Sequence, residues 1–389
     1  MNRNSERDTL LESGPLDPES ESSLAAIFQV AGEPLKLLRF PIPTLDAHEA
    51  LVRIECCTVC GSDLHTISGK RKEPTPSILG HEILGVVERI GSPPLCDVSG
   101  NSLEVGDRVT WSTCISCGEC DRCLSGLPQK CFSIAKYGHD IAEGKYALSG
   151  GLAEFILLRK GSAIVKVDPA LPAEVICPVN CATATVTAAY RVGGIIEGRR
   201  VLIFGAGMLG LTAAAFAKFN AAAHVTVCDT NAERLQLSER FGADSTIEWC
   251  DDAQEFSQRA SACSVDGEFD LILELSGSSK AVEAACRLGA IGASVVLVGS
   301  VMKSPTVSLD PESIVRRWLC ISGVHNYAPE DLLTAIQFLS DSHSRFPFSE
   351  LVEKIFSLTD VNQAIEFAQN AKPVRIAIRP GFHGNTDNS

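Results

Sequence analysis

The run RRVLIFGAGMLGLTAAAFAKFNAAAHVTVCD, residues 199 to 229, constrains the fold more than any other stretch of this chain. A short apolar strand leads into Gly205, Gly207 and Gly210 in GxGxxG order, a helix of alanines and large apolar residues follows, and a second strand ends in Asp229, nineteen residues beyond Gly210. Glycines at those three places permit a tight turn, bring the backbone close to a pyrophosphate and let helix and strand pack closely, with the helix N-terminus facing the anion. A lone GxGxxG says little; one framed by strand, helix and a second strand ending in an acid reads as a dinucleotide site. Asp229 suits the adenosine ribose hydroxyls, and its charge disfavours a 2′-phosphate, so NAD is expected over NADP. Arg234, five residues later, keeps NADP as the alternative. Further apolar strands at FDLILELSG and SVVLVGS, with helices between, predict a parallel doubly wound α/β sheet.

That unit fills less than half of 389 residues, so a second domain is expected. A formal charge of −14 argues against nucleic acid or an anionic membrane as the main partner. No stretch supplies the roughly 18 uninterrupted apolar residues of a membrane span. The opening MNRNSERDTLLESGPLDPESESS carries two basic and six acidic residues and no apolar run, which predicts a disordered leader over residues 1–23 and neither a signal nor a transit peptide. With no export signal, the 16 cysteines are expected in a reducing cytoplasm, where clustered thiols indicate metal or catalysis.

Five of those cysteines fall in CISCGECDRCLSGLPQKC, residues 114 to 131. Cys117, Cys120, Cys123 and Cys131 follow CxxCxxC and then a longer return, a spacing that lets four thiolates close a tetrahedral shell around a structural zinc ion. An iron–sulfur cluster is the alternative. Cys114 falls outside the pattern and reads as a buried thiol, as do Cys56 and Cys57 on the strand-like LVRIECCTV. A four-thiolate shell has no open position, so any chemistry must lie elsewhere.

Upstream stand CGSDLH, with Cys60, Ser62, Asp63 and His65, and GHE, with His81 twenty-one residues after Cys60 and Glu82 beside it. CGSDLH, GHE, GDRV and the cysteine cluster, in this order and spacing, resemble the zinc-dependent medium-chain alcohol dehydrogenases from about residue 25 to 380. The resemblance implies a mostly β, GroES-like catalytic domain over residues 24–183, a Rossmann domain over 184–325 and a C-terminal segment, 326–389, that returns to the first. It implies a second, catalytic zinc held by Cys60, His81 and Cys181, the last lying 24 residues before Gly205, with Glu82 as a near or exchanging ligand. Ser62 matches the hydroxyl that takes the alcohol proton, His65 the histidine that relays it, Asp63 a carboxylate that orients His81, and Arg375 an arginine near the cofactor pyrophosphate. Taken singly, Ser62 is a turn residue, His65 a surface histidine and Asp63 a cap.

The implied reaction takes a hydride from a small alcohol to NAD. Family members form dimers and tetramers, so a homo-oligomer is expected. The stretches CTVCGSDLHTISGKRKEPTPSILGHE, GLPQKCFSIAKYGHD and LSGGLAEF resemble the subgroup called phosphonate-catabolism-associated alcohol dehydrogenases, which implies a hydroxyalkylphosphonate. Lys136 and His139, in KYGHD, are candidate contacts for its anion; Lys70, Arg71 and Lys72 are candidates too, though a solvated loop explains them as well. Polyols, amino alcohols and hydroxy acids are alternatives within the family, and a non-catalytic nucleotide-binding protein is the alternative outside it.

Overall fold

The computed structural model describes residues 21–92, 95–264 and 267–382. The expected leader lies outside the described residues as far as residue 20, and a strand, Ser22–Phe28, begins just after.

The glycine-rich run forms what its pattern predicts. Arg200–Phe204 is a strand, Met208–Phe219 a helix and His224–Asp229 the next strand. They belong to a six-stranded, wholly parallel sheet in the order Ser245–Glu248, His224–Asp229, Arg200–Phe204, Phe269–Glu274, Gly289–Leu297, Cys320–Gly323. Its central strands are apolar along nearly their whole length because both faces are covered. The strand order reverses between Arg200–Phe204 and Phe269–Glu274, which opens a crevice at their carboxyl ends. One face is covered by Met208–Phe219 and by the helix Ala182–Gly193, whose Tyr190 ring stacks on Phe216 at 5.2 Å and whose hydroxyl donates to the Ala213 carbonyl at 2.8 Å.

The other half is built on an antiparallel meander of long strands, Ala50–Thr58, Glu82–Ile90 and Arg108–Ile115, within an eight-stranded sheet. The first two pair so that Thr58 faces Glu82 across the ladder. The segments just beyond them, which carry Cys60 and His81, therefore emerge at the same end of the sheet. The C-terminal strand Arg375–Arg379 returns to this sheet, antiparallel to Ala50–Thr58, with Ala377 opposite Thr58. One apolar cluster joins the halves, running from Cys56 and Leu84 through Val186 and Ile203 to Phe338. The sheets therefore hold a fixed relation across the crevice. No helix among the described residues is long and apolar enough to cross a membrane.

Two of the motif glycines serve the fold and one does not. Gly205 has φ +99, a conformation that L side chains avoid, and a Cβ on Gly210 would lie 1.7 Å from the Gly205 carbonyl oxygen. A Cβ on Gly207 would meet nothing within 4 Å. Gly210→Ala is therefore expected to lower stability by about 1–3 kcal/mol, as forced overpacking does. Gly207→Ala should melt like the parent and instead weaken dinucleotide binding, a contrast that thermal melts and cofactor titrations read directly.

Candidate functional site

Asp63 organises the site. It is the third residue of the short helix Gly61–Ile67, and its Oδ2 accepts the Cys60 N–H at 2.9 Å, capping the helix. Its Oδ1 accepts the Gly80 N–H at 3.2 Å and lies 3.3 Å from His81 Nδ1. A carboxylate at Nδ1 keeps the ring proton there and leaves the Nε2 lone pair for another partner. Against the upward push of burial, His81 holds the Asp63 carboxyl below its ordinary range. Gly80 permits the approach: φ is +86, and a Cβ there would lie 2.6 Å from Cys57 Sγ.

Cys60, His81, Glu82 and Cys181 each offer a ligand atom within 4.8 Å of the others. The Cys181 thiol, and after it the Arg375 guanidinium, hold the Cys60 thiol well below its ordinary range. Soft sulfur with imidazole, carboxylate nearby and one thiol readily ionised, is a donor set that fits zinc. Ser62 Oγ lies 3.4 Å from His81 Nε2, and Ser62 and His65 both line the adjoining cavity.

Arg375, which the resemblance places near the cofactor pyrophosphate, lies against the donor cluster. Continuing the antiparallel register of its strand brings it opposite Cys60, and its Nε and Nη2 donate to the two Glu82 oxygens at 2.9 and 3.0 Å. Nη2 also lies 3.5 Å from Cys60 Sγ. The Thr58 hydroxyl donates to Glu82 Oε2 at 2.6 Å, so both oxygens of this fully buried carboxylate are engaged. Arg375 is absent from the cavity wall. No motif signals this pair, whose partners stand 293 residues apart.

The four-cysteine loop forms a second donor cluster. Cys120 to Cys123 and Cys131 to Cys117 are each 3.5 Å apart, sulfur to sulfur, and Cys117 to Cys123 and Cys120 to Cys131 are each 3.9 Å. A tetrahedron with metal–sulfur bonds of ~2.3 Å has edges of ~3.8 Å, so the spacing fits one ion and is too tight for a multi-iron cluster. The Cys117 N–H donates to Cys131 Sγ at 3.4 Å and holds that thiol down to about 6, which favours the thiolate a metal requires. Cys56, Cys57 and Cys114 are buried and belong to neither cluster.

A cavity of about 570 Å³ opens from Cys60, Ser62, His81 and Cys181 to the carboxyl end of the parallel sheet. There Glu274 Oε1 accepts the Ser276 and Gly277 N–H groups at 2.8 and 2.7 Å and fixes the loop that forms the facing wall. The glycine turn lies on the same side. Asp229 is tied to it, its Oδ2 accepting the Ala206 N–H at 2.6 Å and its Oδ1 the Asn231 N–H at 2.9 Å. Arg234 Nη2 donates to the Lys372 carbonyl at 3.3 Å.

Of the five cationic candidates, Arg71, Lys136 and His139 line the cavity, and Lys70 and Lys72 are exposed outside it. Glu73 sits between two of them, 2.6 Å from Arg71 Nε and 3.3 Å from His139 Nδ1. His139 also packs on His81, with ring centroids 4.9 Å apart. The sequence reading missed His325, which lines the cavity and whose Nδ1 lies 2.7 Å from Lys130 Nζ. Its signal was a histidine in GVHNY at the end of the last parallel strand, where α/β sheets bind ligands.

Known proteins match on both halves. The family described as Alcohol dehydrogenase GroES-like domain matches residues 46–169, and that described as Zinc-binding dehydrogenase matches residues 209–341. The chain is 28% identical over 329 residues to the 5-exo-hydroxycamphor dehydrogenase of Pseudomonas putida, covering 82% of this chain and 88% of that protein. It is 29% identical over 295 residues to the L-threonine 3-dehydrogenase of Bacillus subtilis, covering 74% and 79%. The crystal structure of an alcohol dehydrogenase from Thermotoga maritima superposes with a TM-score of 0.86 at 26% identity, over 92% of this chain and 99% of that one.

The Glu82–Arg375 pair yields a prediction. Arg375→Met should cost about 3–5 kcal/mol, because it strands a buried carboxylate, whereas Arg375→Met with Glu82→Gln should recover part of that loss. Chemical denaturation of the two variants measures both; equal losses would mean that the pair is not the source of the effect.

Proposed function

The chain belongs to the zinc-binding medium-chain alcohol dehydrogenases, and from that premise we propose that it oxidises a small alcohol to a carbonyl compound, with NAD as the hydride acceptor and two zinc ions per chain. The observation that carries the reading is the cavity itself. At one end it holds Cys60, His81 and Cys181, and at the other the loops at the carboxyl end of the parallel sheet. An alcohol and a nicotinamide would meet between them.

Cys60, His81 and Cys181 would hold a zinc ion, which would supply the Lewis acidity that eases loss of the alcohol proton near neutral pH. The chain's own groups do the rest. Asp63 keeps His81 in the ligating tautomer, Ser62 receives the hydroxyl proton, and His65, on the cavity wall beside it, passes it towards solvent. Glu82, held by Arg375, stays beside the ligand set. The four-cysteine zinc is structural. Gly205, Gly207 and Gly210 receive the pyrophosphate, and Asp229, whose two oxygens retain lone pairs beyond their backbone bonds, accepts the ribose hydroxyls. A cytoplasmic setting suits this chemistry, since all 16 cysteines are unpaired.

For the substrate the first candidate is a hydroxyalkylphosphonate, supported by Lys136 and Arg71 on the cavity wall. The second is a β-hydroxy amino acid, favoured by the L-threonine 3-dehydrogenases among the relatives. Both are small alcohols that carry an oxyanion.

Elemental analysis should find about two zinc ions per chain. Cys60→Ala should abolish turnover and leave the fold intact, whereas Cys120→Ala should lower stability first; equal unfolding in both would show the two sites misassigned. Asp229→Ala should raise the ratio of kcat/KM for NADP over NAD by about tenfold, the worth of one unfavourable charge contact of about 1.4 kcal/mol. An unchanged ratio would remove Asp229 from the ribose site.

A further inference from the structure

One wall of the cavity concentrates positive charge in a protein of net charge −14. Arg71 and Lys136 line it, and Lys130 stands just behind. Of these only Arg71 has a carboxylate partner, Glu73; Lys136 and Lys130 have none within 4.0 Å among the described residues. His325 registers the crowding. Burial first, then the charges of Lys130, Lys136, Arg71 and His139, push this imidazole down to about 4, so it is neutral near pH 7.

The contact with Lys130 fixes what neutral His325 can do. An ammonium group only donates, so the ring atom 2.7 Å from Lys130 Nζ, Nδ1, must accept. The ring proton is then on Nε2, and His325 becomes a hydrogen-bond donor. Lys130 belongs to the short turn Pro128–Lys130, immediately before Cys131. The four-cysteine loop thus reaches across 195 residues of sequence to set the tautomer of a cavity residue.

We propose, building on the dehydrogenase reading above, that Arg71, Lys136 and His325 form a subsite for a compact oxyanion carried by the alcohol substrate, and that Lys130 is the positioning residue that makes His325 a donor. Phosphonate and carboxylate share the chemistry that the subsite recognises: negative oxygens that accept from guanidinium, ammonium and imidazole N–H groups. Arrival of an anion relieves the mutual repulsion of the uncompensated cations. Glu73, 2.6 Å from Arg71 Nε and 3.3 Å from His139 Nδ1, offsets part of the charge at Arg71, so Lys136 and His325 carry the larger share of the recognition. A phosphonate, with three acceptor oxygens against the two of a carboxylate, better matches three donors that line one cavity and is the class assigned here.

The test uses the zinc-loaded full chain with NAD and three alcohols of similar size: 2-hydroxyethylphosphonate, 3-hydroxypropanoate and 1-propanol. The parent should prefer the phosphonate in kcat/KM, then the carboxylate. Lys136→Met and His325→Phe should each raise KM for the phosphonate by about 10- to 100-fold, the usual loss for one charge-assisted hydrogen bond, with a much smaller change in kcat, so that the phosphonate-to-propanol ratio falls. Lys130→Met should act in the same direction while retaining its zinc, and Lys130→Arg should restore the ratio. Loss of zinc together with equal loss on all three alcohols would reduce Lys130 to a structural role and overturn its part.

Calorimetric binding of methylphosphonate to the enzyme–NADH complex separates this proposal from the reading on which it rests. Turnover of 1-propanol as good as that of the anions, with no methylphosphonate binding, sinks the subsite and leaves the dehydrogenase standing. No turnover of any alcohol, with methylphosphonate binding that Lys136→Met and His325→Phe abolish, does the reverse. If inorganic phosphate binds as well as methylphosphonate while an attached phosphonate gives no advantage in kcat/KM, the wall serves free phosphate and the substrate assignment is wrong.

Discussion

The site depends on a single buried carboxylate. Asp63 accepts hydrogen bonds from the backbone of Cys60 and of Gly80 and lies against His81. It therefore fixes the two chain segments that leave the meander at one end, together with the orientation of the imidazole between them. Burying an anion is costly unless its lone pairs are used, and here two N–H donors and the ring use them. The cap reading of Asp63 and the orienting reading are the same fact, because the N–H it accepts at the start of the helix belongs to the residue that carries the thiol. The remaining groups are arranged around this point, with Cys181 on the cavity wall and Glu82 buried against Arg375.

A donor cluster on one sheet and a crevice on another become one site only if the sheets are held together. The shared apolar cluster supplies that. Its members come from the end of the Ala50–Thr58 strand, the packed helix Ala182–Gly193 and the parallel sheet itself. Cys181 sits immediately before that helix, so the same packing that seals the parallel sheet also delivers a thiol to the donor cluster. Glu274 does the corresponding work on the facing wall, where it bends the strand exit towards the cavity.

What could be read from the sequence was whatever recurs at short range. The strand, glycine turn and helix from residue 200 onward, and the four cysteines that come together in one donor cluster, follow from local spacing. The donor residues Cys60, His81, Glu82 and Cys181 were legible through resemblance, and the structure brings them within reach of one another. The Glu82–Arg375 and Lys130–His325 contacts were not legible. Each joins residues with the whole dinucleotide half between them, and the first depends on a strand register that no local pattern encodes. Arg375 illustrates the difference: the resemblance implied a place near the pyrophosphate, and its contact with Glu82 follows only from the antiparallel pairing of its strand with Ala50–Thr58.

The charge distribution limits how the cavity can select. With −14 overall, the protein repels an anion at long range, so attraction must come from within the wall. At physiological ionic strength charges are screened over about 8 Å, which is shorter than the breadth of either half, so the distant acidic surface and the nearby cations act almost independently. Selection by Arg71, Lys136 and His325 therefore operates after entry, through direct hydrogen bonds in a partly desolvated space, and is felt in residence more than in encounter. Such a wall needs a fixed donor geometry more than it needs net charge. A lysine ammonium that swings freely supplies charge alone, whereas a neutral imidazole pinned by a second lysine supplies direction, and the four-cysteine loop is the element from which that second lysine reaches it.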